Sequence, residues 1–234
     1  MATFVLVHGA WHGGWCWRKV VPALRAAGHE VFTPTLTGLG ERVHLAHAEV
    51  GLSVHIEDIV NVIEFEGLRD VMLVGHSYAG LVIAGVAGRR PELIARLIYL
   101  DAFMPEDGDS AFSLHPGARA QYESAARELG DGWAVPPPDP RLLGVVDATD
   151  LAWLEERLTP MPLRTHQERL FILDQRGPTV PAAVIRCTDF VAFSRAKDLA
   201  RARGWPYHEL ATGHEAMITA PTELAALLSR LASS

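Results

Sequence analysis

Short apolar runs alternate along this chain with longer stretches in which apolar residues return every three or four positions. Residues 3–7, 31–34, 71–74, 93–100, 183–187 and 207–210 have the runs of buried strands. Residues 15–27, 53–65, 78–89, 194–203 and 221–231 have helical spacing, with Gly28 placed as a C-cap and Ser53 as an N-cap. Between the strands and helices, residues 35–47 are polar and glycine-punctuated, as a loop is. Strand and helix in alternation predict an α/β fold, a mostly parallel sheet with helices on both faces.

The alternation breaks over residues 103–170. This stretch holds Pro105, Pro116, Pro136, Pro137, Pro138 and Pro140, and only 118–129 and 150–158 read as helices. We read it as a helical cap inserted over the C-terminal edge of the sheet, where open α/β folds bind ligands. Residues 1–102 and 171–234 then form the core.

The strand at 71–74 runs into Gly75-His76-Ser77-Tyr78-Ala79-Gly80 and on into a small-residue helix. Strand, tight turn and helix around a serine make a nucleophile elbow, which lifts the hydroxyl above the sheet and aims a helix N-terminus at its target. The elbow pattern G-x-S-x-G has Ala79 at its last position, with Gly80 one place later. A serine needs a base, and the base an orienting acid. His214, in a glycine-hinged loop after the last strand, is the expected base. Asp189, after strand 183–187, is the expected acid, with Asp101 at the end of the strand following the elbow as the alternative. The backbone N–H groups of Ala10 and Tyr78 are the expected oxyanion donors, and His8 is expected to brace the loop that carries Ala10. Trp11, Phe103, Trp133 and Trp153 are the expected pocket residues, with Phe112 and Tyr122 as further aromatics of the cap.

Composition narrows the function without redirecting it. The chain has 234 residues, 49% apolar and 21% charged, with a net charge of −7 and no basic block. That balance suits a globular enzyme and argues against nucleic acid or anionic membranes as partners. The first residues lack a basic region and enter a strand directly, and the two cysteines, Cys16 and Cys187, make no disulfide framework; a cytoplasmic protein, monomer or homodimer, is expected. No dinucleotide or phosphate fingerprint is present, and His44 and His47 lack a third ligand nearby. No cofactor and no metal are expected.

Together these motifs resemble the α/β-hydrolase superfamily. Phe4-Val-Leu-Val-His-Gly-Ala-Trp-His-Gly-Gly-Trp-Cys-Trp17, Gly75-His76-Ser77, Cys187-Thr188-Asp189 and Gly213-His214-Glu215-Ala216-Met217 resemble the branch that contains plant methylesterases, plant hydroxynitrile lyases and bacterial esterases. The resemblance implies a serine carboxylesterase acting on small to medium esters with an apolar or aromatic part. The lyases of this branch carry threonine, glutamate and lysine where this chain has Gly9, His76 and Glu215, so these positions match the esterases. A dedicated lyase, cyclase or lactonase, and a small-molecule receptor, are the alternatives.

Overall fold

The computed structural model describes residues 1–172 and 180–233; residues 173–179 of the expected core segment 171–234, and Ser234, lie outside the described residues. The main sheet has six parallel strands in the order β2-β1-β3-β4-β7-β8. They are β1 (Thr3–Val7), β2 (Glu30–Phe32), β3 (Val71–His76), β4 (Ile94–Leu100), β7 (Ala182–Cys187) and β8 (Tyr207–Leu210). The missing numbers belong to a two-stranded antiparallel ribbon, β5 (Ala134–Val135) and β6 (Met161–Pro162), in the insertion after β4.

The two-residue period of the strands sorts the core into two layers. Val5, Val7, Leu73, Leu97, Tyr99 and Val184 pack into one cluster. Their chain neighbours Phe4, Leu6, Val74, Ile98 and Ile185 pack into the other. Both faces are therefore apolar, which is why these strands read as unbroken apolar runs. The first face takes α2 (Leu52–Phe65), α3 (Ala79–Arg89) and α8 (Ala196–Ala202). The second takes α10 (Pro221–Leu231), the short α9 (Ala216–Thr219) and α1 (Val21–Ala26).

Several boundaries differ from the sequence reading. The expected helix 15–27 is a 3₁₀ segment, Gly14–Lys19, followed by α1. Pro22 lacks an N–H and starts a new helix more readily than it continues an old one. Ser53 is not a cap, because α2 begins one residue earlier, after Gly51. The insertion holds α4 (Ala111–Leu114), α5 (Pro116–Leu129), α6 (Ala148–Glu155) and α7 (Arg164–Gln167) besides the ribbon. Among the described residues, no helix is long and apolar enough to cross a membrane.

Candidate active site

Three strands deliver the site, and each ends in strained backbone. Trp11 beyond β1 has φ 65°, Ser77 beyond β3 has φ 56°, and Asp101 beyond β4 has φ 41°. These are left-handed values that non-glycine residues adopt at a cost of order 1–3 kcal/mol. At Ser77 the surroundings enforce the turn. Its N–H donates to Leu100 O at 3.2 Å, and its carbonyl accepts from Gly80 N–H and Phe103 N–H, each at 3.1 Å. Small residues are compulsory here. A Cβ on Gly75 would lie 2.7 Å from Ala79 O, and one on Gly80 would lie 1.9 Å from Phe103 O. Ala79, the departure from the elbow pattern, is fully buried and opens α3.

Ser77 and His214 line one cavity of about 90 Å³, with Ala10, Trp11, Tyr78 and Phe103 also in its wall. Among the described residues, neither the Ala10 nor the Tyr78 N–H is taken by a protein acceptor. Both are free to meet an oxyanion. The loop carrying Ala10 is braced as expected. His8 Nδ1 donates to Gly9 O at 2.8 Å, and His8 Nε2 accepts from Leu36 N–H at 3.1 Å. Burial holds His8 neutral, its pKa lowered to about 3.

Asp189, the expected acid, is not the carboxylate that meets His214. His214 Nδ1 lies 2.7 Å from Asp101 Oδ2, and both side chains are buried. Asp101 also accepts from Arg186 Nη1 at 2.7 Å and from the Cys187 N–H at 3.2 Å. Asp189 does not meet His214. It is exposed, its N–H donates to Thr212 O, and its carboxylate accepts from the Thr188 hydroxyl at 3.1 Å. The end of β7 instead presents Phe190, whose ring stacks on His214 at 4.4 Å between centroids. Arg186 also donates to the carbonyls of Cys187 and Phe190, tying this turn to Asp101.

Two further histidines frame His214. His76 Nε2 donates to His214 O at 3.0 Å, and burial together with His214 and His12 keeps His76 neutral, well below the usual histidine range. His12 Nδ1 donates to Ala10 O at 2.7 Å, while its Nε2 lies 3.3 Å from Glu215 Oε2. The contact to Glu215 lacks the alignment of a hydrogen bond, and both side chains are buried. His12 thereby links the loop that carries Ala10 to the residue after His214. His76, His214 and Glu215 bring ligand-capable atoms within 4.8 Å of one another. His214 Nδ1 and His76 Nε2 in that group already have partners.

Of the expected pocket aromatics, Trp11 and Phe103 line the cavity and Trp133 and Trp153 do not. Trp133 borders a separate cleft with Glu49 and Arg164. Trp153 packs edge-on against Trp15 at 5.0 Å, with the guanidinium groups of Arg18 and Arg157 over its ring. Phe112 and Tyr122 do line the cavity. Sequence reasoning passed over Phe190, Phe193 and His166. The Phe-Val-Ala-Phe spacing of 190–193 puts two rings in one turn, which was the available signal.

Residues 4–227 match the alpha/beta hydrolase family, and the chain belongs to it. A carbendazim hydrolyzing esterase of Nocardioides sp. (strain SG-4G) is 43% identical over 246 residues, covering 99% of this chain and 100% of that protein. Methylesterase 2 of Arabidopsis thaliana is 32% identical over 132 residues, 56% of this chain and 48% of its own length. Among solved structures, an extracellular alpha/beta-hydrolase from a Paenibacillus species has a TM-score of 0.88 at 24% identity, over 100% of both chains.

Proposed function

We infer that the chain is a serine carboxylesterase whose triad is Ser77, His214 and Asp101. The observation that carries this is the buried bond between His214 Nδ1 and Asp101, on the cavity that also holds an elbow serine. That the chain is a hydrolase of carboxylic esters rests on its family and on an esterase relative across its length.

Asp101 fixes His214 with its proton on Nδ1, which leaves Nε2 free to take the Ser77 proton. The serine oxygen attacks the ester carbonyl, and the Ala10 and Tyr78 N–H groups hold the oxyanion. His214 then gives its proton to the leaving alcohol. Water repeats the sequence on the acyl-enzyme and regenerates Ser77. Tyr78 serves through its backbone, since its phenol is engaged with His55 Nδ1 at 3.1 Å. Residues 103–170 act as the cap, because Phe112, Tyr122 and His166 of that segment wall the cavity with rings. Small to medium esters with an apolar or aromatic part are the substrates this wall favours. A lyase would need a cation beside the leaving group. Position 215 is a carboxylate, buried against His12.

The test is hydrolysis of p-nitrophenyl esters, acetate through octanoate. Wild type should turn them over, and Ser77→Ala should lose about 10⁴-fold or more in kcat. Turnover that survives Ser77→Ala, or a folded wild type that cleaves none of the esters, overturns the reading.

A further inference from the structure

The catalytic cavity is small. At about 90 Å³ it falls well short of the ~300 Å³ at which ordinary small-molecule sites begin. A larger chamber of about 280 Å³ lies beside it, away from Ser77. The two share four residues: Phe103, His115, Ala192 and Phe193. Only together do they reach the ~300–1,000 Å³ of an ordinary small-molecule site.

The shared rings form a gate. Phe103 and Phe193 meet edge to face at 5.2 Å between centroids, and Phe193 also lies nearly parallel to His214 at 5.6 Å. On the opposite side Trp11, Tyr122 and His166 pack ring against ring, and Trp11 Nε1 donates to Val135 O at 3.1 Å. That wall is fixed by the insertion. The Phe193 side rests on the turn after β7 and on the start of α8, and Phe193 itself is only half-buried. The easier way out of the catalytic cavity therefore passes between Phe103 and Phe193.

Beyond the gate, Met104, Leu114 and Leu199 supply an apolar surface, and the charged groups stand at its edge. Most of those charges are engaged. Arg203 donates to Met104 O at 3.2 Å and to Glu106 at 3.3 Å. Asp109 accepts from the Ser113 hydroxyl at 2.8 Å. Arg195 stands exposed at the rim of the chamber, and an apolar surface with most charges engaged at its edge suits a ring system.

Building on the esterase reading, we propose that the substrate is lopsided, with a group of a few heavy atoms in the catalytic cavity and a bulky aryl or heteroaryl group in the chamber beyond Phe103 and Phe193. Which side of the ester bears the bulk is left to matched substrates. 2-Naphthyl acetate against ethyl acetate places the ring on the alcohol. Methyl 2-naphthoate against methyl propionate places it on the acid.

Leu199→Trp narrows the chamber without touching the catalytic cavity. Arg195→Trp, at an exposed position of the same chamber, is the companion should Leu199→Trp fail to fold. The quantity read is the ratio of kcat/KM for the bulky ester over its small partner. In one of the two pairs the ratio should fall tenfold or more, chiefly through KM. The proposal is overturned if folded variants leave both ratios within twofold of wild type, or if bulky and small esters lose activity in parallel. The esterase reading fails separately, when wild type cleaves none of the four esters or when Ser77→Ala cleaves them still.

Discussion

Asp101 and Asp189 carry the same side chain, and each follows a strand of the same sheet, yet only Asp101 meets His214. The difference lies in the backbone. Asp101 takes a left-handed turn directly after β4, which points its carboxylate inward to His214 and Arg186. Asp189 is two residues beyond β7, where the chain has already turned outward and Phe190 fills the space beside His214. A signal was present in the sequence. Arg186 interrupts an apolar strand run, and a buried guanidinium requires a buried anion. Asp101→Asn should cut kcat for p-nitrophenyl acetate by roughly 10²–10⁴-fold, since the imidazole loses its enforced tautomer. Asp189→Asn should stay within about twofold of wild type in the same assay. The reverse result would return the acid to position 189.

At the scale of the elements, the runs that fill both faces of the sheet were the most legible. The α10 helix spans the residues its periodicity marks, and β7 differs from its reading by one residue. The insertion was less legible, because α4, α7 and the β5–β6 ribbon are too short to show a period. The elbow is where two elements come closest. Gly80→Ala would press a methyl group into the Phe103 carbonyl, which belongs to the strand-end turn and not to a movable side chain. We expect a loss of roughly 2–3 kcal/mol, seen as a fall in Tm of about 4–12 °C. Gly28→Ala is the contrast. Nothing crowds that position, and only its φ of 82° opposes a side chain, so about 1 kcal/mol should be lost. Equal melting temperatures for the two variants would refute the close-approach argument.

At the scale of the whole molecule, burial of histidines makes stability depend on pH. His8 and His166 are pushed down to about 3 by burial, against ~6.5 in an unfolded chain. His55 and His76 are lowered for the same reason. The unfolded chain therefore binds protons first as pH falls. The stability from keeping these rings neutral is full above about pH 6.5 and is lost progressively toward pH 3. At pH 5 His8 and His166 each cost about 2 kcal/mol relative to pH 7. Urea midpoints should fall between those two pH values, and His166→Phe should make the fall shallower. A midpoint that does not move would contradict neutral burial. By itself, the sequence determined the strand-and-helix alternation, the elbow turn at Ser77, the loop that carries His214 and the family, because each is written in residues that are close together in the chain. Tertiary structure decided which carboxylate meets His214 and which rings line the cavity. Those contacts join residues as far apart as Asp101 and His214, and which strand end turns inward depends on backbone angles and neighbouring layers that no local pattern encodes.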